Sequence, residues 1–195
     1  LKPMKSSKVL ALPRDPLKEG MLFLGRSLLF SGQVRSFSAG ATKLVQTEMV
    51  NGVAMVKMLA SEGQFPWGTR IFEHRINPLL IQEMNEALDT AERDGAEALI
   101  VAGEGRFFSN GMDLQYITHP GSAQSEAQVY LDGEKLMSRI LTLGMPTVAA
   151  VNGHWAAGGA MLGLAFDQRL MPSDSKGLFF VPGIDIGRGY SVGMT

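Results

Sequence analysis

The chain has 195 residues, enough for one domain with a sizeable core. Its formal net charge of −1 does not favour nucleic-acid binding, which usually shows a strong basic excess. It contains no cysteine, which excludes disulfides and thiolate metal sites, and its three scattered histidines do not suggest a metal centre. No apolar run approaches the ~18 residues of a membrane-spanning helix, so no span is predicted.

The N-terminal segment is free of acidic residues over positions 20–47. Within it, Met21–Ala39 is apolar, rich in serine and dotted with arginine, which is typical of a mitochondrial transit peptide. Arg35 precedes a Ser-Phe-Ser run and suits a processing site. An ordinary amphipathic N-terminal helix is the alternative. We predict a tail over residues 1–41, a folded domain over residues 42–195, and a location in the mitochondrial matrix.

The folded part opens with a hairpin signal. Two alternating runs within residues 43–58 flank Asn51-Gly52, the dipeptide that tight hairpin turns prefer. Residues 61–72 contain two glycines and a proline and predict a loop. Its aromatic residues Phe65 and Trp67 either contact a partner or fold back on the core.

Helices and strands then alternate along the chain. Asn77 as cap and Pro78 in the first turn open a helix that Gly95 ends. A second long helix is predicted over residues 125–143, and a helix of small residues over residues 156–165. Short buried strands are predicted over residues 98–102, 146–151 and 168–171, with a glycine-bearing loop over residues 103–113. The alternation favours an α/β fold with right-handed crossovers.

Two segments point to chemistry, Arg106–Leu114 and Asn152–Met161. Each can place a backbone N–H beside a small residue, open to one site. Two such groups form an oxyanion hole, which stabilises a developing enolate or tetrahedral oxygen by several kcal/mol. Taken singly, Gly158-Gly159 would indicate tight helix packing and Phe107-Phe108 a buried core. Together the two segments favour a site.

The motifs of this chain resemble those of a known protein family. The chain from about Leu44 to Gly187 resembles the crotonase superfamily, the enoyl-CoA hydratases and isomerases. The motifs most similar to the Δ3,Δ2-enoyl-CoA isomerase branch are Glu73–Pro78, Phe107–Leu114, Asn152–His154 and Asp185–Gly187. The resemblance implies an α/β fold built as a spiral of ββα units. It also implies a CoA thioester as substrate or ligand, without a metal or another cofactor.

The same resemblance assigns roles by position. It makes the backbone N–H groups of Met112 and Gly158 the oxyanion-hole donors. It places four neighbouring residues along the path of the CoA moiety: Asn110, Gly111, Asp113 and Leu114.

Two positions depart from the family's pattern. Hydratases of the superfamily use two glutamates, and the matching positions here are Met161 and Gly183. Hydration needs a base and an acid, whereas isomerisation needs one base to move a proton from C2 to C4. Met161 therefore excludes hydratase chemistry, and Gly183 removes the isomerase base as well. Asp185 is a weak candidate substitute, because in an extended segment it would share a face with Gly183. Isomerases also carry Asp there, so a structural role is the alternative.

Members of the superfamily continue past the Asp-x-Gly motif through C-terminal helices that cover the acyl site and build a trimer. This sequence stops at Thr195. We expect either an incomplete sequence or a truncated C-terminal helical module. Truncation would leave apolar surface that another chain must cover.

Two functional hypotheses follow. The favoured one is a catalytically impaired, isomerase-like pseudoenzyme that acts as a structural subunit of a mitochondrial assembly such as a respiratory-chain complex. The alternative is an active Δ3,Δ2-enoyl-CoA isomerase of fatty-acid β-oxidation. The expected partners are acyl-CoA and related crotonase chains in a homo- or hetero-trimer, or a larger mitochondrial complex. Nucleic acid is not an expected partner, and no membrane span is expected.

Overall fold

The computed structural model describes residues 43–60, 63–64, 70–71, 73–183, 185 and 187. The tail predicted over residues 1–41 lies outside the described residues, as do Phe65 and Trp67. Within the described part, the chain forms sheets of five, three and two strands. Four helices are described with them.

The first two strands form the predicted hairpin. Strands β1 (Val45–Val50) and β2 (Val53–Met58) pair antiparallel in continuous register. Between them, Asn51 has φ 49° and Gly52 has φ 80°. A two-residue type I′ turn requires these two positive angles, and the Asn-Gly pair adopts them readily.

Three more strands extend this hairpin into the larger sheet. They are β5 (Ala98–Gly103), β7 (Thr147–Ala150) and β9 (Gln168–Leu170). The strand order is β1-β2-β5-β7-β9, and every pairing from β2 onward is parallel. Parallel neighbours need crossover connections, which the helices between the strands supply. The predicted strands at these three places are confirmed.

The helices are α1 (Pro78–Arg93), α2 (Leu114–Ile117), α3 (Glu126–Leu141) and α4 (Gly158–Leu164). The cap of α1 is as predicted, because the Asn77 side-chain oxygen accepts the Leu80 N–H at 3.0 Å. Gly95, with φ 69°, follows its last turn. None of the helices in the described part combines the length and apolarity that crossing a bilayer requires.

One buried cluster joins the larger sheet to both long helices. The sheet contributes Val56, Leu99 and Val101 to it, and α1 contributes Leu80, Met84 and Leu88 along one face, followed by Leu136 and Ile140 from α3. The spacing within each helix is the i, i+4 spacing of an amphipathic face. This core packs the larger sheet against both long helices.

The smaller parallel sheet was not predicted. Its strands are β6 (Phe107–Ser109), β8 (His154–Ala156) and β10 (Phe179–Phe180), in the order β10-β8-β6. Sequence analysis placed residues 103–113 in a loop and began a helix at residue 156, and both assignments were wrong where these strands lie. Strands of two or three residues are too short to show a period. Their pairing is set by the tertiary fold.

Residues 61–72 also differ from the predicted continuous loop. Strands β3 (Gly63–Gln64) and β4 (Arg70–Ile71) pair antiparallel there. Two-residue strands again carry no periodicity that sequence reasoning can detect.

Candidate active site

The site lies at one edge of the small sheet. Strands β6, β8 and β10 are mutually parallel, so their carboxyl ends point the same way. They lead into residues 110–113, 157–161 and 181–183. The carboxyl edge of parallel strands is where α/β proteins commonly bind ligands. The structure thus brings together the three segments in which sequence analysis placed its candidate residues.

Two backbone N–H groups converge at this edge. A Cβ placed on Gly158 would lie 3.5 Å from the Met112 backbone nitrogen, and a Cβ placed on Gly111 would lie 3.0 Å from the Gly158 nitrogen. Within the described residues, neither the Met112 nor the Gly158 N–H donates a hydrogen bond. Two adjacent, unused donors can bind one oxygen atom, which is the arrangement of an oxyanion hole.

Pairing with residues 73–76 orients the Met112 donor. The Ile76 N–H donates to the Gly111 carbonyl at 2.7 Å, and the Asp113 N–H donates to the Ile76 carbonyl at 2.9 Å. These two hydrogen bonds involve the Gly111 carbonyl and the Asp113 N–H, which flank Met112 and lie on the same edge of this stretch of chain. Since successive N–H groups of an extended segment point in opposite directions, the Met112 N–H faces away from Ile76.

The two neighbouring glycines of α4 have different surroundings. A Cβ on Gly159 would lie 2.3 Å from the Ser109 carbonyl oxygen, so Gly159 is required by close packing of α4 against β6. The three atoms nearest to a Cβ on Gly158 all belong to Met112 and lie at 3.4–3.5 Å, which is ordinary van der Waals contact. The packing explanation therefore holds for Gly159, while at Gly158 the missing side chain leaves space beside both donors.

Ala157 has a backbone conformation that sequence analysis did not predict. Its φ of 48° and ψ of −123° lie in a region that favours glycine. Its N–H donates to the Phe180 carbonyl at 2.9 Å, and its carbonyl accepts the Ala160 and Met161 N–H groups. These bonds hold the peptide before Gly158 in place. Such strain persists where the surroundings over-determine the backbone, as at functional sites.

A polar cluster anchors the start of the segment 110–113. The Glu73 carboxylate accepts the Asn110 side-chain N–H at 2.8 Å and pairs with Arg75 at 3.0 Å. Glu73 and His74 have φ values of 60° and 50°, both in the left-handed region. Sequence analysis quoted this stretch only as a family motif and did not foresee its contact with the loop. The only sign of this cluster in the sequence is an acidic and a basic residue, Glu73 and Arg75, two positions apart.

Asp113 is fully buried and has a structural role. Its carboxylate accepts the Tyr116 N–H at 3.1 Å, which caps α2, and the Asn77 side-chain N–H at 3.3 Å. Because these bonds occupy the carboxylate, any contact of this position with a ligand would use its backbone. Leu114, one residue on, has a 39% exposed side chain.

Met161 and Gly183, the positions that the family resemblance assigns to glutamates, lie in segments that follow the same edge. Met161 is half-buried, lies three residues after Gly158 on α4 and packs against the hydrophobic core. Gly183 is buried and follows the Phe180 carbonyl that binds Ala157. Residues 182–183 form a turn and Asp185 is exposed. The condition under which Asp185 would share a face with Gly183, an extended segment, is therefore not met at residues 182–183.

Two histidines near the site are held by the fold. The His154 ring accepts the Leu178 N–H at 3.2 Å and packs on Phe107. The His74 Nε2 lies 3.1 Å from the Glu104 N–H and 2.8 Å from the Glu104 carbonyl oxygen, and burial lowers the pKa of His74. Across the described residues, His, Cys, Asp and Glu side chains form no group of three suited to a metal ion.

Residues 73–195 match the enoyl-CoA hydratase/isomerase family. This match covers more than half of the chain, so the protein belongs to that family, which is the crotonase superfamily that its motifs resemble. It is thus a crotonase-fold protein similar to enoyl-CoA isomerases and hydratases. The predicted family and the predicted α/β fold class are both confirmed.

Two relatives show the range of the similarity. The peroxisomal enoyl-CoA delta isomerase 2 of Arabidopsis thaliana is 36% identical over 121 residues, which is 59% of this chain and 50% of that protein. The mitochondrial enoyl-CoA hydratase domain-containing protein 3 of Homo sapiens is 30% identical over 103 residues, 53% of this chain and 33% of that protein. The chain spans about half the length of the isomerases that it matches.

A solved structure supports the same fold. The probable enoyl-CoA hydratase of Mycobacterium tuberculosis H37Rv superposes with a TM-score of 0.62 at 29% identity. The superposition covers 75% of this chain and 56% of that one.

Proposed function

We propose that the chain binds an acyl-CoA thioester and places its carbonyl oxygen between the N–H groups of Met112 and Gly158. The observation that carries this proposal is the convergence of these two unused donors, with a Gly158 Cβ position only 3.5 Å from the Met112 nitrogen. The other residues proposed to contact the CoA moiety are Asn110, Gly111 and Leu114, together with the backbone of Asp113.

We propose further that the chain is impaired in both hydration and isomerisation. The family similarity assigns the two proton-transferring glutamates to the positions of Met161 and Gly183. A thioether and a hydrogen atom there move no protons, so the thioester would be polarised but not turned over at these positions. Asp185, which is exposed, is a poor substitute.

The proposed biological role is that of a structural subunit in a mitochondrial assembly such as a respiratory-chain complex. Exposed apolar side chains favour a role in assembly, since patches of this kind commonly mark contacts with other chains. They cluster late in the described chain, at Leu164, Leu170, Met171, Leu178, Phe179 and Phe180. A location in the mitochondrial matrix rests on the composition of residues 20–47, and a tail over residues 1–41 ahead of a domain over residues 42–195 is part of the same proposal.

The alternative is an active Δ3,Δ2-enoyl-CoA isomerase. The similarity to the enoyl-CoA delta isomerases of Arabidopsis thaliana favours it, at 33–36% identity. Under this alternative, a base from elsewhere in the protein serves the same oxyanion hole.

A binding and turnover experiment on the purified protein separates these proposals. Acetoacetyl-CoA binding is measured by calorimetry for the natural chain and for Gly158→Ala, whose added methyl would occupy the space beside both donors. We expect binding to weaken at least tenfold in the variant. Equal affinity for both proteins would contradict the proposed oxyanion hole.

Turnover of a 3-enoyl-CoA is then compared between the natural chain and Gly183→Glu. We expect no isomerisation by the natural chain and measurable isomerisation by the variant, because it regains a base near C2 and C4. Isomerisation by the natural chain would instead establish the alternative.

A further inference from the structure

One pair of polar contacts holds Asn110, the residue that begins the segment leading to the Met112 donor. The Glu73 carbonyl accepts the Asn110 main-chain N–H at 3.0 Å, and the Glu73 carboxylate accepts the Asn110 side-chain N–H at 2.8 Å. Arg75 donates to the same carboxylate oxygen at 3.0 Å, so the carboxylate is held in one orientation. A single acidic residue therefore fixes both the main chain and the side chain of Asn110.

Gly111, the residue between Asn110 and Met112, depends on its neighbours for its conformation. Its φ is 86°, and glycine has little preference of its own between positive and negative φ. The peptide bond that joins it to Met112 is trans, so the Met112 N–H points away from the Gly111 carbonyl. The direction of this N–H is therefore set by contacts on either side. Among them are the Ile76 bond to the Gly111 carbonyl at 2.7 Å and the anchoring of Asn110 by Glu73.

The backbone that carries this anchor is strained. Glu73 and His74 have φ values of 60° and 50°, in a region that residues other than glycine rarely adopt. Two contacts hold His74 there, because its carbonyl accepts the Ser109 hydroxyl at 2.8 Å and its Nε2 lies 2.8 Å from the Glu104 carbonyl oxygen. Strain persists where the surroundings over-determine the backbone, and it is common next to functional sites. Here it accompanies the double contact of Glu73 with Asn110.

From these contacts we propose that Glu73 is a positioning residue, which aims the Met112 N–H at the acyl oxygen through its paired bonds to Asn110. The inference rests on the proposed thioester site. It assigns a role in that site to an acidic side chain that transfers no proton and acts through geometry. A carboxylate that only stabilised the fold would change the free energy of unfolding, but it would leave the hydrogen bond from Met112 to a bound carbonyl as strong as before.

Reciprocal variants of this pair separate geometry from stability. In Asn110→Asp, two carboxylates face each other where the contact now measures 2.8 Å, so their repulsion breaks the anchor. In Glu73→Gln, an amide oxygen still accepts the Asn110 side-chain N–H. In the double variant Glu73→Gln, Asn110→Asp, the donor and the acceptor exchange places, which restores the contact. Gln82→Glu is the matched control, because the Gln82 amide donates to the Glu86 carboxylate at 2.8 Å on the exposed surface of α1.

The first measurement needs no ligand. Nuclear magnetic resonance on the full chain, labelled with nitrogen-15 in methionine, gives the chemical shift and the order parameter of the Met112 N–H. We expect the shift to move and the order parameter to fall in Asn110→Asp. Both should keep their natural values in Glu73→Gln, in the double variant and in Gln82→Glu. A Met112 signal that is unchanged in Asn110→Asp would overturn the inference, whatever the ligand does.

The second measurement uses butyryl-CoA labelled with carbon-13 at the thioester carbonyl. Isotope-edited infrared spectroscopy gives the stretching frequency of this carbonyl, which hydrogen bonds lower. We expect a lower frequency on binding to the natural chain, and about half of that shift in Asn110→Asp, which keeps the Gly158 donor. Calorimetry should show affinity weakened by about tenfold in Asn110→Asp and restored in the double variant. Circular dichroism on each variant verifies folding.

The outcomes distinguish this inference from the proposed function. The natural frequency shift in every variant would refute the role of Glu73 and leave the oxyanion hole intact. Weaker affinity of Asn110→Asp with an unchanged frequency shift would mean that Asn110 acts by touching the CoA moiety, and it would also refute that role. A folded double variant that recovers neither property would show that the pair is not coupled. Binding to the natural chain without a frequency shift, or no binding at all, would refute both proposals.

Discussion

Glycines in this protein serve different purposes, and the space around each one shows which. A Cβ on Gly159 would overlap the Ser109 carbonyl at 2.3 Å, while a Cβ on Gly133 in the middle of α3 would find ordinary contacts at 3.7–3.9 Å with Ile76 and Met112. Gly159 therefore permits close packing of α4 on β6. Gly133 has room for a methyl group, although its lack of a side chain weakens α3.

We predict opposite effects of the same substitution at these two positions. Gly159→Ala should lower the free energy of unfolding by about 1–3 kcal/mol through overpacking. Gly133→Ala should raise it by about 0.5–1 kcal/mol, because alanine restricts the unfolded chain and favours the helix. Urea denaturation of both variants measures the two effects. A loss of stability in Gly133→Ala would show that the contacts to Ile76 and Met112 cannot relax.

At the scale of single residues, sequence analysis identified the positions of the candidate site residues better than their backbone conformations. Met112, Gly158 and Gly183 were placed through their motifs, and the structure gathers all three at one sheet edge. The strained conformation of Ala157 was not foreseen, since alanine carries no preference for positive φ. Nor was the contact of Glu73 with Asn110, because it joins segments that are distant in sequence.

At the scale of elements, His74 links the segment before α1 to the end of β5. Its ring contacts the Glu104 backbone, and the Glu104 side chain in turn pairs with Lys57 of β2 at 2.9 Å. Burial lowers the pKa of His74, whereas the hydrogen bond from Lys57 lowers the pKa of Glu104. The fold therefore favours a neutral His74 and an ionised Glu104, and these two charge states are lost in different pH ranges as the pH falls.

We predict that acidification destabilises the protein first through His74. The unfolded chain binds a proton near pH 6.5, but the folded chain resists protonation, so the stabilisation is complete above about pH 6.5 and is lost as the pH falls further. His74→Gln should flatten this part of the stability profile, measured by urea denaturation. His119→Gln, the matched change on the loop after α2, should retain it. The same slope in both variants would assign it to another group.

Elements with a strong local signal were predicted well. The Asn-Gly hairpin, the Asn77-Pro78 start of α1 and the strands β5 and β7 each follow from turn, cap or hydrophobic patterns. The strands β6, β8 and β10 have two or three residues each, so they depend on pairing across the fold. The part of the fold that builds the site was therefore the part least visible in the sequence.

At the scale of the whole molecule, apolar side chains remain exposed on the late elements. Leu170 ends the edge strand β9 with 47% of its surface exposed, and Leu178 precedes the edge strand β10 with 60% exposed. Edge strands with uncovered apolar side chains favour contacts with another chain.

We predict that the purified chain associates in a concentration-dependent way through this surface. The double variant Leu170→Ser, Leu178→Ser should shift sedimentation toward the monomer. The control Leu131→Ser, Leu141→Ser removes two exposed leucines of α3 and should not. Identical sedimentation of all three proteins would show that these side chains contact no second copy.

The small parallel sheet has a consequence for the order in which the parts of the protein fold. Its three strands come from widely separated stretches of chain, and the segments that converge on the proposed thioester site are those that follow them. An intermediate holding only the larger sheet and α1 would already contain about half of the residues of the buried cluster, yet it would lack the proposed acyl-CoA site. During folding, ligand binding would therefore appear only when the last non-local strand pairings have formed, and not when the first have formed. An acyl-CoA that binds only the finished protein would also draw late intermediates to completion.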